Sequence, residues 1–197
     1  MAVILNGNPL NYNLKTVVLS KTLNEGVQFE PLELGFYDTY IEIGTRAYNE
    51  HYRHLWPNGD TTTYIQNSFT HEVLLKEEQD LDTALYLIKS DHTYVGILKI
   101  TLHKEILEYR NHQALYLDKI YILKEFSRKG IGKKCLQFVG NIATKLSKKV
   151  VFLESMQKGK ALPFYLANKF SIVDNTKVPF ENVIEEEKPM YLLMKKI

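Results

Sequence analysis

Two apolar strands flanking one amphipathic helix constrain this chain more than any other feature. Residues 115–123 are strongly apolar, and residues 150–154 form another run of the buried type. Between them Ile131, Cys135, Leu136, Val139, Ile142, Ala143 and Leu146 recur at helical steps, while Lys133, Lys134, Lys145, Lys148 and Lys149 lie mostly off that stripe. Strand, helix and strand together form one right-handed parallel crossover. The remaining elements follow from period and punctuation. A short strand is expected at 16–20. A helix is expected from Tyr37 to Trp56, with Ile41, Tyr48, Tyr52 and Leu55 near one face. Pro57-Asn58-Gly59-Asp60 breaks it, and Asp60 caps a second helix through Tyr64, Ile65, Phe69 and Val73. Residues 84–88 and 94–102 read as strands joined by the hairpin Ser90-Asp91-His92-Thr93. Residues 161–170 form a shorter helix, with Pro163 tolerated in its first turn. Residues 171–173 and 190–195 close the sheet. The order predicts an α/β fold with a mixed sheet.

Composition removes several classes of function. Lys and Arg number 25 against 23 Asp and Glu, a formal charge of +2. Such a balance argues against a dedicated duplex-DNA binder. Hydrophobic residues at 45% and aromatic ones at 12% favour a packed core over disorder. The single Cys135 excludes a disulfide framework. No apolar run approaches the roughly 20 residues that a membrane span needs. The opening Met1-Ala2-Val3-Ile4-Leu5-Asn6 has no basic region and is too short for a signal peptide, so a cytoplasmic protein is expected. Without repeats or linkers, residues 1–197 are expected to form a single domain.

The chemistry concentrates where the first crossover strand meets the helix. The segment Phe126-Ser127-Arg128-Lys129-Gly130-Ile131-Gly132-Lys133-Lys134 holds four basic residues and no acidic one. Backbone N–H groups at a helix start lack internal partners, and the helix dipole is positive there, so an anion is favoured. Gly130 and Gly132 let the backbone approach a ligand closely. The ATP-type loop Gly-x-x-x-x-Gly-Lys-Ser/Thr fails, because Ser127 and Lys134 stand at its anchors. The dinucleotide pattern Gly-x-Gly-x-x-Gly fails at Cys135. A CoA-pyrophosphate loop, Arg/Gln-x-x-Gly-x-Gly/Ala, matches at Gly130 and Gly132 and departs at Ser127. Elsewhere, His51 and His54 lie three apart on a helix, but nothing in the sequence completes a metal site with them. They read as helix surface or core.

Leu117-Asp118-Lys119-Ile120-Tyr121-Ile122 followed by Lys129-Gly130-Ile131-Gly132-Lys133-Lys134 resembles the acetyl-CoA site of the GNAT N-acetyltransferase superfamily. It looks most like the bacterial spermidine/spermine acetyltransferase-type members. Ala161-Leu162-Pro163-Phe164-Tyr165-Leu166-Ala167-Asn168-Lys169-Phe170 resembles that family's Ala-x-x-Phe-Tyr-x-x-x-Gly-Phe helix. The order of elements fits from about Thr83 to Ile197. Residues 37–75 are similar to the family's variable substrate-side region. The resemblance implies a mixed, mostly antiparallel sheet with a central parallel crossover and helices on both faces.

It also implies acetyl-CoA as co-substrate, with no metal and no covalent enzyme intermediate. The pantetheine arm would lie along Ile120, Tyr121 and Ile122. The pyrophosphate would sit on Ser127, Arg128, Lys129, Gly130, Ile131, Gly132 and Lys133. Tyr165 matches the tyrosine that protonates the departing thiolate, a role suited to a phenol with a pKa near 10. Asp118 and Glu154, each inside an apolar strand, are the candidates for the carboxylate that takes the amine's proton. Glu154 is slightly preferred. Lys158 stands where many members have an Asn against the pantetheine arm. Lys169 replaces a Gly, so that helix is expected to end differently.

The acceptor implied is a small, polyamine-like amine, with no nucleic-acid or membrane partner and a homodimer as a common family state. Glu77, Glu78, Asp80 and Asp82, or Glu185, Glu186 and Glu187, could attract such a cation. Either cluster could equally be solvated loop charge. Tyr37, Tyr40, Tyr48, Tyr52 and Trp56 could line an amine pocket or form core. The alternatives are a non-catalytic acyl-CoA-binding module, suggested by Ser127 and Lys158, and an acetyltransferase acting on a protein N-terminus or Lys. A nucleic-acid binder using the Lys-rich helix is the weakest reading.

Overall fold

The computed structural model describes residues 22–24 and 26–197. Strands β1 (Thr22–Asn24), β2 (Val27–Pro31), β3 (Thr83–Ser90), β4 (Thr93–Thr101), β5 (Ala114–Ile122), β6 (Val150–Met156), β7 (Ser171–Lys177) and β8 (Pro189–Lys196) form one sheet. Their spatial order is β1-β2-β3-β4-β5-β6-β8-β7. Only β5 and β6 run parallel; every other neighbouring pair is antiparallel. Helices α1 (Tyr37–Tyr52), α2 (Thr62–Ser68) and α3 (His71–Gln79) follow β2. Helix α4 (Ile131–Lys145) connects β5 to β6, and α5 (Leu162–Ala167) follows β6.

Alternation along the strands sends apolar side chains to both faces. Tyr86, Leu98, Leu115 and Leu117 pack with Cys135, Phe138 and Val139 of α4. Leu85, Leu87 and Ile97 pack on the opposite face with Tyr40, Ala47, Trp56 and Phe69. Phe138 stacks on Phe29 with ring centroids 4.2 Å apart and meets Tyr86 edge-on at 5.0 Å. The sheet is therefore mostly antiparallel, covered by helices on both faces, with the parallel pair inside it, four strands to one side and two to the other. In the β3–β4 hairpin Asp91 and His92 both take positive φ, 45° and 68°. That is the mirror-image turn whose twist matches paired strands.

Several boundaries differ from expectation. The expected strand at 16–20 lies outside the described residues. β1 and β2 were not anticipated, although Val27 and Phe29 alternate inward as a period-two pattern requires. The second helix is two helices. Asp60 is not the cap of the first of them: Thr61 holds that position without a side-chain cap bond, and Asp60, one residue further out, accepts the Thr62 N–H at 3.0 Å. Phe69 then leaves helical geometry (φ −134°, ψ 64°) and buries its ring, and Thr70 caps α3 by accepting from the Val73 N–H at 3.2 Å. Gly44 of α1 makes room for that ring: a Cβ there would lie 2.7 Å from Phe69. Helix α5 stops at Ala167, short of Phe170, while β6, β7 and β8 each run longer than the apolar runs suggested.

Candidate active site

The site begins where the parallel pair ends. β5 and β6 are in register for three pairs only, Ala114↔Val150, Leu115↔Val151 and Tyr116↔Phe152. Beyond Tyr116, β5 stays paired with β4 as far as Ile122, and β6 with β8 as far as Met156. The two strands thus turn unpaired edges towards each other and open a cleft. A bulge marks the parting. Lys99 pairs with Lys119 and Ile100 with Leu117, which leaves Asp118 as the extra residue. Backbone groups alternate in direction along a strand. The Leu123 N–H donates to Val95 on the β4 side at 2.9 Å, and the Tyr121 carbonyl closely approaches Gly96, where a Cβ would lie 2.4 Å from it. Ile122, between them, turns its N–H and carbonyl to the cleft.

The basic loop follows directly. Lys124–Phe126 forms a 3-10 turn, and Arg128 and Gly130 take left-handed φ values of 63° and 82°. Gly130 precedes α4, and among the described residues no side chain caps the helix. Arg128, Lys129 and Lys133 are exposed around it. The two glycines serve different ends. A Cβ on Gly130 would meet open space, so its role is conformational. A Cβ on Gly132 would lie 3.1 Å from the Phe164 ring, so Gly132 lets α5 pack on the start of α4 rather than clearing space for a ligand. An open strand edge leading to an uncapped, basic helix start suits an extended ligand with an anionic end.

Helix α1 holds this junction from the other face. The Glu50 carboxylate accepts the Lys124 N–H at 2.7 Å, so it satisfies a donor at the start of the 3-10 turn. Arg46 pairs with Glu125 at 2.6 Å. His51 donates from Nε2 to the Ile122 carbonyl at 2.9 Å.

The two candidate carboxylates differ in their company. Asp118 pairs with Lys99 at 2.9 Å, and Lys99 also binds Glu77 at 2.7 Å. Burial raises the Asp118 pKa, but Lys119, Lys99 and Lys104 outweigh it and hold the carboxyl below its ordinary value. Glu154 instead accepts the Tyr116 hydroxyl at 2.9 Å, across the point where the strands part. The Tyr116 ring is held by Phe152 at 4.9 Å and by the Lys104 ammonium at 3.6 Å.

Tyr165 is half-buried on α5, with ring centroids 5.2 Å from Phe164 and 5.8 Å from Phe170. Its hydroxyl has no hydrogen-bond partner among the described residues. Burial, with smaller contributions from Tyr52 and Cys135, pushes its pKa well above that of a free phenol. It is a phenol that keeps its proton at neutral pH.

Other sequence candidates have different employment. Lys158 is 63% exposed at its side chain and pairs with Glu187 at 3.2 Å. Glu77 binds Lys99, Glu78 accepts from the Tyr37 hydroxyl, Asp80 caps Asp82 and Thr83, and Asp82 binds His103. Glu185 pairs with Lys188 at 2.6 Å. Tyr37, Tyr40, Tyr48 and Trp56 are buried core. Tyr48 stacks on Tyr64 at 3.7 Å, and Tyr64 and Tyr121 share a 2.6 Å hydrogen bond, so these rings pin β5 to α1 and α2. Burial, with Tyr64 adding to it, pushes Tyr52 up to about 12. His54 is exposed. Sequence reading missed Tyr116, whose alternation with Leu115 and Leu117 put it on the face of Glu154. The reading of His51 as helix surface or core did not anticipate its contact with Ile122, which its spacing from His54 does not signal.

A model of the acetyltransferase (GNAT) family matches residues 43–170, more than half of the chain. The chain belongs to that family, and its class of activity is N-acetyl transfer. The fold recurs in solved structures of low identity. The PaiA N-acetyltransferase of Thermoplasma acidophilum, solved in complex with coenzyme A, is 19% identical with a TM-score of 0.68, covering 87% of this chain and 99% of its own. A GNAT acetyltransferase of Elizabethkingia anophelis with acetyl-CoA bound is 16% identical with a TM-score of 0.58, covering 88% and 100%. The spermidine/spermine N-acetyltransferase SpeG of Vibrio cholerae, in mutant forms, is 14% identical with a TM-score of 0.62, covering 88% and 95%.

Proposed function

We propose that this protein transfers the acetyl group of acetyl-CoA to a primary amine of a small, polyamine-like acceptor. The parting of β5 from β6 beside a basic helix start carries this reading. In it, the pantetheine arm lies along the open edge of Ile120, Tyr121 and Ile122. The pyrophosphate lies on the backbone from Ser127 to Lys133, with Arg128, Lys129 and Lys133 as counter-charges. Lys158 reaches the arm only by leaving Glu187. Glu154 takes a proton from the acceptor's ammonium group. The freed nitrogen forms a C–N bond with the thioester carbon, the C–S bond breaks, the thiolate takes the Tyr165 proton, and the second proton of the acetylated nitrogen restores the Tyr165 phenol, leaving a neutral amide and the free thiol. Asp118 is the weaker candidate for the base, because it is already committed to Lys99. Holding both reactants in one cleft supplies most of the acceleration, up to roughly 7–11 kcal/mol for well-oriented groups.

The polyamine character of the acceptor draws support from the spermidine/spermine enzyme among the similar folds. One observation favours a second reading. Glu77, Glu78, Asp80 and Asp82 are each held within the fold, by Lys99, Tyr37, Thr83 and His103, so a polycation has to compete with those contacts. An acceptor with a single amine fits that better.

Thiol release from acetyl-CoA, followed across an amine panel led by spermidine and spermine, decides between them. Release with polyamines supports the first reading; release with monoamines alone supports the second. Tyr165→Phe is expected to lower turnover about 100-fold, the size of one general acid. Unchanged turnover in that variant removes the proposed acid.

A further inference from the structure

We infer that His51 is a positioning residue for the CoA arm: helix α1, on the acceptor side, uses it to set the cleft edge of β5 along which that arm lies. The inference rests on the reading of the cleft as the CoA site and deepens it. The Ile122 carbonyl faces the cleft, since Leu123 and Tyr121 turn their backbone groups to β4. A part-buried carbonyl at an open strand edge is best served by a donor from the protein. His51 supplies it from Nε2 at 2.9 Å, from a residue 71 positions earlier in the chain. The histidine is half-buried and sits edge-on to Tyr52, with ring centroids 6.3 Å apart.

The contact does not stand alone. Glu50, the preceding residue, accepts the Lys124 N–H two positions beyond Ile122, and Arg46, one turn earlier, binds Glu125. Three side chains from consecutive turns of α1 therefore fasten Ile122, Lys124 and Glu125. Their strengths differ. Arg46 and Glu125 are 51% and 46% exposed, so that pair adds little. The His51 and Glu50 bonds go to backbone groups and fix its course. His51 alone of the three touches the cleft edge itself. With Ile122's carbonyl already taken, the edge presents the Ile122 N–H and the groups of Ile120 to a ligand. His51 thereby fixes the rung at which an extended ligand must leave the strand for the loop.

The test is CoA binding by titration calorimetry with the intact protein, alongside steady-state constants. His51→Ala is expected to weaken CoA binding about tenfold and to raise the KM for acetyl-CoA in parallel. The KM for the amine should move less than twofold. His51→Gln, which keeps an N–H donor of similar reach, should recover most of the affinity. A merely structural role lowers the active fraction and leaves both constants in place. Equal CoA affinity in wild type and His51→Ala, or no recovery by Gln, overturns the inference while the CoA site stands. A wild-type protein that binds no CoA overturns the site and the inference together.

Discussion

Lys169 holds a backbone conformation that most side chains avoid. Its φ is 69°, and the Phe170 N–H reaches back to Tyr165 at 3.2 Å while its own N–H reaches Leu166 at 3.1 Å. That is the left-handed helix ending usually given to glycine. The chain therefore ends α5 as a Gly would, contrary to the expectation from Lys at that position, and accepts the strain. A left-handed residue with a side chain costs roughly 1–2 kcal/mol, and Gly returns up to about 1 kcal/mol of that as unfolded-state entropy. Lys169→Gly should thus stabilise the protein by about 0.5–1 kcal/mol in urea unfolding. A loss of stability would mean that the Lys side chain does more than the backbone suggests. The neighbouring Tyr165 and Phe164 owe their positions to the same turn.

At the scale of elements, α4 joins the site to the core. Its first turn forms the uncapped end of the basic loop, and its apolar stripe packs on the sheet. Phe138 lies at the centre of that stripe, 2% exposed, stacked on Phe29 and edge-on to Tyr86. Phe138→Ala should cost about 3–5 kcal/mol, the usual loss for a buried aromatic that leaves a cavity. Chemical denaturation measures it; a loss under about 1 kcal/mol would mean that the surrounding side chains close the gap. The helix was legible because its stripe repeats at helical spacing. The division of α2 from α3 was not, because Phe69 departs from the helix to fill a space that only Gly44 of α1 creates.

Across the whole molecule, Lys148 ties distant segments together. Its ammonium donates to the carbonyls of Leu102 and Asn111, next to the end of β4 and before the start of β5. Burial lowers its pKa to about 8 against an ordinary 10.5, with Asp82 pulling the other way. Between those values the unfolded chain carries a proton that the folded chain has lost. Stability from this residue therefore rises as pH goes from about 8 to 10.5. Unfolding free energies of wild type and Lys148→Met, compared across that range, should diverge in favour of wild type; a constant difference would refute the assignment. Asp118 acts at the other end. Its lowered pKa gives stability that is present above the ordinary carboxylate range and is lost as pH falls through the lowered value.

By itself the sequence determined the crossover, the basic glycine turn and the helix that carries Tyr165. Each of these is local: hydrophobic period, a left-handed glycine and an N-terminal proline act within a few residues. Tertiary structure alone decided where β5 and β6 part, because that depends on a bulge at Asp118 and on β8 claiming the far edge of β6. It decided that Glu154 meets Tyr116 and that Asp118 meets Lys99, both across strands. It also brought His51 to Ile122. Hydrogen bonds form between groups close in space, and neither spacing nor composition specifies which residues, 38 or 71 positions apart, the sheet will bring within 3 Å.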